Sequence, residues 1–306
     1  MTQSVAPAID APDQLSRALA EHGYLADDAL ATVLYLALRM GRPLLLEGEA
    51  GTGKTEVANV LARWSGGELV RLQCYDGIDV SQAVYEWDYA RQLLHLRAAG
   101  AAAADPSSLE RSVYSEAYLV RRPLLRAIAG AAGDGAVPIL LIDEIDRADD
   151  EFEAYLLEFL GDFAVTVPEL GTFRAERPPV VIVTSNRTRD VHDALKRRCL
   201  YHWVDHPDFE REVAIVRRRV PDATERLARA VAGAAAELRS RGLYKPPGVA
   251  ETIDWAQALA VLGTNDLDER AVERTLGAVV KYREDAERVR SAGFGGLVAA
   301  AAAASR

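Results

Sequence analysis

One stretch constrains this chain more than any other: Gly48-Glu49-Ala50-Gly51-Thr52-Gly53-Lys54-Thr55. It fits the phosphate-loop pattern, spaced glycines followed by Lys and Thr. The apolar run Pro43-Leu44-Leu45-Leu46 before it reads as a buried strand. Behind it, Glu56-Val57-Ala58-Asn59-Val60-Leu61-Ala62-Arg63-Trp64 has helical spacing and no breaker. Strand, glycine loop and helix together are the context the motif needs. Glycines let backbone N–H groups converge on phosphate oxygens where a side chain would block approach. The helix start adds the positive end of its dipole. In such a loop Lys54 reaches the β and γ phosphates of ATP, and the Thr55 hydroxyl ligates Mg²⁺. The competing reading is a glycine-rich turn that holds nothing.

A second element is Val137-Pro138-Ile139-Leu140-Leu141-Ile142-Asp143-Glu144. An apolar run of this kind is a central parallel strand, buried on both faces. Asp143 falls at its carboxyl end, where open sheets place their ligands, and suits Mg²⁺. Glu144 follows and suits a base that polarises water for attack on the γ-phosphate. The competing reading has both acids capping a helix, although Asp146 is available for that. A third element, Val183-Thr184-Ser185-Asn186, ends a strand in polar residues. Asn186 either orients the attacking water or simply turns the chain. In the fourth, Ala194-Leu195-Lys196-Arg197-Arg198-Cys199, the bases are either a solvated face or arginines supplied to a neighbouring subunit's ATP.

Around these motifs the chain alternates strands with helical segments, which indicates a doubly wound parallel sheet. The strands are expected at Pro43–Leu46, Glu68–Gln73, Val137–Glu144, Val180–Thr184 and Leu200–Val204. Helices are expected at Asp13–Glu21 and Ala29–Met40, the second closed by Gly41. Cys74–Gly100 reads as a β-rich insertion, with Val84–Tyr89 and Gln92–Leu96 as its strands. A loop over Ala98–Ser108 and a helix over Leu109–Ala129, interrupted at Pro123, come next. Phe163–Val167 and Phe173–Ala175 read as a hairpin. From Pro207 the pattern is only helical, with segments at Glu210–Arg219, Thr224–Arg241, Ile253–Leu262 and Glu269–Arg290.

The domain limits that follow are a mobile segment with a short helix over 1–20 and a nucleotide-binding αβα domain over 21–205. That domain carries an insertion at about 78–97 and a hairpin at about 163–177. A small all-helical lid covers 206–290 and an Ala-rich tail 291–306, to which no function is assigned.

Composition narrows the partners. A net charge of −10 argues against a nucleic-acid binder, which normally presents a basic face. The cysteines, Cys74 and Cys199, lack metal-ligand spacing and read as reduced structural thiols. The first residues carry no signal-peptide pattern, and no apolar run is long enough to span a membrane, so a cytoplasmic protein is expected. His95, His192, His202 and His206 read as packing or surface residues, the aromatics Tyr85, Trp87 and Tyr89 as an interface, and Trp255 as lid core.

In their order, Gly48–Thr55, Ile139–Glu144, Asn186 and Arg197-Arg198, followed by a helical domain, resemble AAA+ ATPases over roughly residues 20–290. That resemblance implies an αβα sandwich on a five-stranded parallel sheet and a small helical lid. It also implies assembly as a homo-oligomeric ring, usually a hexamer, with ATP at subunit junctions. It gives Lys54 and Thr55 to phosphates and Mg²⁺, Asp143 to Mg²⁺, Glu144 to the base and Asn186 to the sensor. Arg198 aligns best with the arginine finger, and Arg197 next.

The insertion around Tyr85-Glu86-Trp87 and the hairpin around Pro168–Thr172 look like the MoxR group. The stretches Leu119–Leu125 and Val249–Trp255 look like its CoxD-like branch. The group implies chaperone-like assembly or metal-centre maturation, often with a von Willebrand factor A domain partner. For the branch, the implied client is a carbon monoxide dehydrogenase-type metalloenzyme. One departure is the start of the third lid helix, Pro247-Gly248-Val249-Ala250-Glu251, which lacks the arginine many AAA+ proteins aim at the γ-phosphate. A nucleotide-gated binding module with little turnover and a DNA-directed motor are the competing functions.

Overall fold

The computed structural model describes residues 9–100, 112–130 and 135–305, with side chains throughout except at 99 and 100. Residues 1–8 of the expected mobile segment, and most of the loop expected at Ala98–Ser108, lie outside this range. The first helices are α1 (Pro12–Glu21), α2 (Asp28–Met40) and α3 (Lys54–Ser65). The Asp27 carboxylate caps α2 by accepting the Leu30 N–H, and Gly41 closes it in the left-handed conformation. Leu15 and Leu19 of α1, the short helix expected there, are fully buried.

The main sheet is five-stranded and parallel. Its strands are β1 (Leu44–Glu47), β2 (Leu69–Gln73), β5 (Ile139–Asp143), β8 (Val180–Ser185) and β9 (Leu200–Trp203), in the order β2-β5-β8-β1-β9. Leu44, Leu45 and Leu46 have no exposure, and β5 is buried along its length. Each such aliphatic side chain contributes roughly 1.5–3 kcal/mol through burial. Register places Gln73 beside Asp143, and Leu46 and Glu47 beside Thr184 and Ser185. The polar strand ends therefore gather at one edge of an otherwise apolar layer.

The expected β-rich insertion is corrected. After the short helix α4 (Val80–Ala83), β3 (Tyr85–Trp87) pairs antiparallel with β4 (Leu119–Arg121), not with a neighbouring strand. Gln92–Leu96 lies within α5 (Tyr89–Gly100). The Gln92 amide is buried on the Val113 carbonyl, while Leu93 and Leu94 face solvent, so the run of Leu was no strand signal. The expected loop from Ala98 thus begins as helix. The helix expected over Leu109–Ala129 contains β4 and then α6 (Pro123–Ala129), which Pro123 starts because its fixed φ and missing N–H suit a first turn. Residues 109–111 lie outside the described range.

Trp87 is buried against Tyr85 and Tyr114, whereas Tyr89 is exposed, so the three aromatics do not form one surface. The expected hairpin is present as β6 (Ala164–Val167) and β7 (Gly171–Arg174), after α7 (Asp150–Asp162). Asp149, not Asp146, caps α7. A short helix, α8 (Asp193–Arg198), precedes β9.

The rest is helical: α9 (Phe209–Arg219), α10 (Glu225–Ser240), α11 (Val249–Val261), α12 (Glu269–Val279), α13 (Arg283–Ala292) and α14 (Gly295–Ala304). The single helix expected over 269–290 is two, broken after Val279. The Ala-rich tail is the packed helix α14, with Leu297 and Ala301 in the core. Gly233 of α10 permits that packing, since a Cβ there would overlap Ala304. Trp255 is fully buried in this core, its indole N–H on the Thr275 hydroxyl at 2.7 Å.

Contacts divide the chain into two compact units. A sheet unit holds residues up to Ala18, Asp27–Glu47 and Thr55–His202, and a helical unit holds Leu19–Ala26, Gly48–Lys54 and everything from Trp203. Among the described residues no helix is long and apolar enough to cross a membrane.

Candidate functional site

The glycine loop, within the helical unit, joins β1 to α3. Gly51 and Gly53 have φ of 82° and 90°, left-handed values that an L side chain rarely takes. A Cβ on Gly48 would overlap the Val204 carbonyl. Lys54 is only 5% exposed, and its ammonium donates to the carbonyls of Gly48 and Glu49 at 2.8 and 2.6 Å. Thr52 donates to Glu49 O at 3.0 Å. Glu49 meets His206 Nε2 at 3.1 Å, a partner that a surface reading of His206 missed.

The Gly51 carbonyl accepts from the first two N–H groups of α11, those of Val249 at 3.0 Å and Ala250 at 3.4 Å. A Cβ on Gly248 would come within 2.8 Å of Gly51 Cα, so the approach requires glycine. Glu251 accepts the Gly248 N–H at 2.9 Å and stands beside Gly51. The start of α11, which carries no arginine, thus holds an acid.

Within the sheet unit, β5 delivers Asp143 to its carboxyl end with 3% exposure. Asp143 Oδ1 accepts from the Thr55 hydroxyl at 3.0 Å and the Thr184 hydroxyl at 2.5 Å, and Oδ2 accepts from Arg71 at 2.5 Å. Glu144 is a non-glycine residue in the left-handed region, φ 55°. Its N–H donates to Thr184 Oγ1 at 3.0 Å. Its carboxylate accepts from Asn186 Nδ2 at 3.2 Å, Gln73 Nε2 at 3.0 Å and Arg147 at 3.2 Å. Such a conformation, costing of order 1 kcal/mol or more, persists because the surroundings hold it. Asp146 is buried and accepts from the N–H groups of Asn186 and Thr188 and from the Thr188 hydroxyl, so it anchors the turn that carries Asn186.

The field at these strand ends is negative. The backbone N–H of Cys74 donates to the Asp143 carbonyl at 2.8 Å, and its thiol is pushed up to about 12 by burial and then by Asp143, Asp146, Glu153 and Glu144. Burial likewise pushes Cys199 up to about 12. Neither thiol is a nucleophile at neutral pH, as expected of structural cysteines.

Arg197 and Arg198 end α8 with exposed side chains. Arg42 donates to the carbonyls of both and so holds the backbone end of that helix. The Arg198 guanidinium lies over Gly161 of α7, where a Cβ would overlap it.

Residues 43–199, just over half of the chain, match the AAA domain (dynein-related subfamily). The chain belongs to this AAA family. A search of curated proteins finds no match. Solved structures similar to the chain include three forms of the Thermotoga maritima RuvB protein. A proline-to-glycine mutant has a TM-score of 0.49 at 16% identity, with 90% of this chain and 72% of that chain covered. The form titled Holliday junction branch migration motor has a TM-score of 0.46 at 17% identity, with the same coverage. An arginine-to-alanine mutant has a TM-score of 0.47 at 16% identity, again covering 90% of this chain and 72% of that one.

AAA proteins bind nucleotide, typically with magnesium, in general hydrolyse it, and commonly form rings. The residues here fit that chemistry. The loop follows a backbone course, with positive φ at Gly51 and Gly53, that L side chains rarely adopt. Thr55 and Asp143 supply the hard oxygen donors that magnesium takes when phosphates complete its shell. Within this AAA chain, the structure brings Thr55, Asp143, Glu144 and Asn186 together in the sheet unit, and Gly48 to Lys54 together in the helical one. Among the described residues of the sheet unit, no hydrogen bond or ion pair joins the side chain of Arg197 or Arg198 to Thr55, Asp143, Glu144 or Asn186. Sequence reasoning missed Arg71, Gln73, Asp146 and Thr184. The alternation of Arg71, Leu72 and Gln73 on a strand was the one signal for the first two, since it puts both on one face.

Proposed function

We propose that the chain is a magnesium-dependent ATP hydrolase of the MoxR type, CoxD-like branch. Its turnover would drive chaperone-like assembly or metal-cofactor maturation of a client enzyme, of which a carbon monoxide dehydrogenase type is the candidate. The observation that carries the hydrolase reading is the Glu144 carboxylate, oriented by Gln73 and Asn186 beside an Asp143 that bonds Thr55. In this reading Lys54 neutralises the β and γ phosphates, and Glu144 takes the proton of a water that Asn186 helps orient. Thr55 and Asp143 would hold magnesium, which when bound neutralises charge on the transferring phosphate. Arg198, or else Arg197, would reach the ATP of a neighbouring subunit in a homo-oligomeric, hexameric ring.

The domains proposed with this reading are 21–205 for nucleotide binding and 206–290 for the lid. A von Willebrand factor A domain protein is the proposed partner. The branch assignment rests on the resemblance of Leu119–Leu125 and Val249–Trp255.

One observation favours a second reading, a nucleotide-gated binding module with little turnover. Glu251 puts a negative charge beside the loop at Gly51, where an arginine would otherwise stabilise the γ-phosphate. Steady-state phosphate release separates the two readings. The hydrolase reading expects turnover in the wild type and a loss of roughly a hundredfold or more in Glu144→Gln. Parent-rate hydrolysis by Glu144→Gln would remove the base assignment, and negligible wild-type turnover with tight nucleotide binding would favour the module. Turnover stimulated by DNA and falling steeply with salt would instead indicate a DNA-directed motor.

A further inference from the structure

Asp143 is buried, and a buried carboxylate needs a compensating partner. Arg71 supplies it. Its guanidinium sits 2.5 Å from Asp143 Oδ2, although 53% of the Arg71 side chain is exposed while only 4% of the Asp143 side chain is. The same guanidinium donates to Gln73 Oε1 at 2.6 Å. Gln73 in turn donates through Nε2 to Glu144 Oε2 at 3.0 Å. One arginine therefore bonds the carboxylate assigned to the metal and, through one amide, orients the carboxylate assigned to the base.

We propose that Arg71 is a positioning residue and the resident counter-ion of Asp143, with which a divalent cation competes on binding. The inference rests on the nucleotide-hydrolase reading above. A guanidinium and a magnesium ion on one carboxylate are like charges a few ångströms apart, and their repulsion is only partly screened at a half-exposed pair. Metal binding and the Arg71–Asp143 pair therefore compete. Displacement is feasible because Arg71 lies at the surface and can carry its charge into water. Its departure also removes the partner of Gln73 Oε1, which loosens the amide that holds Glu144.

The test titrates magnesium against the binding of a fluorescent ADP to the full chain, with a parallel titration in EDTA. Removing the competitor in Arg71→Met should lower the magnesium midpoint by roughly threefold, the size expected of a half-exposed ion pair. ADP affinity in EDTA should be unchanged. Arg71→Lys, which keeps the charge, should return the midpoint to within about twofold of wild type. Arg71→Gln carries the same expectation as the methionine variant and serves where that variant does not fold. An Arg71→Met or Arg71→Gln midpoint equal to or above that of the wild type would overturn the inference alone. A wild type that bound no ADP at any magnesium concentration would overturn the nucleotide reading, and the inference with it.

Discussion

Thr184 is 1% exposed at the end of β8, and its hydroxyl serves two neighbours. It donates to Asp143 and accepts the N–H of Glu144, the residue held at φ 55°. Replacing it by Val preserves shape and leaves a buried N–H and a carboxylate oxygen each short of a partner. Thr184→Val should cost about 1–3 kcal/mol, read as a lower urea midpoint, and should reduce phosphate release more than it weakens nucleotide binding. Thr184→Ser should retain most of both, and a Val variant as stable and active as the wild type would show that the hydroxyl is dispensable. Asp143 and Glu144 were legible because two acids after a run of aliphatics are unusual. Thr184, Gln73 and Asp146 were not, because an amide, a hydroxyl or a lone acid at a strand end is commonplace. What singles them out is register, Gln73 beside Asp143 and Thr184 beside Leu46, which joins positions far apart in sequence.

The parallel strands and the β6–β7 hairpin were legible as elements, since buried runs and alternation are strong local signals. The β3–β4 pair was not, because its strands are short and a long segment separates them. Local pattern also failed at α14, where an alanine run has no amphipathic signature and only packing on α10 decides its state.

Helices α9, α10 and α11 share a buried ionic node that no local pattern announced. Arg239 of α10 forks onto both oxygens of Glu212 from α9 at 2.8 and 2.6 Å, and also bonds the Pro247 carbonyl and the Thr252 hydroxyl at the start of α11. Glu212 is 1% exposed. Arg239→Met leaves that carboxylate buried without its partner and should cost about 3–5 kcal/mol, seen as a marked fall in thermal midpoint. The double variant Glu212→Leu with Arg239→Met should recover much of the loss. If the single variant melted with the wild type, the node would not be what sets the angle of α11.

At the scale of the whole molecule, the compact units are not successive pieces of chain, because the glycine loop groups with the helices that follow residue 203. A cut between sheet and helices near that position would therefore strip the loop of His206, Val249 and Ala250, although its sequence was intact. Assembly carries its own prediction. If an arginine acts between subunits, Arg198→Ala should lower turnover by roughly a thousandfold with little change in ADP binding. Mixing it with Glu144→Gln, which keeps the arginine, should recover activity in hybrid assemblies. Unchanged turnover in Arg198→Ala would pass the role to Arg197, to be tested in the same mixture.

The bond from the Gly51 carbonyl to the first N–H groups of α11 has a consequence for how this protein is dissected. Any turn of that peptide to face a phosphate gives up a partner on the helix, and the helix start is left with bare donors. Both bonds are made by main-chain N–H groups, so exchanging the Val249 side chain for alanine would leave them in place. A proline at position 250 is tolerated in a first helical turn and deletes one of the two donors, which no other exchange at that position can do.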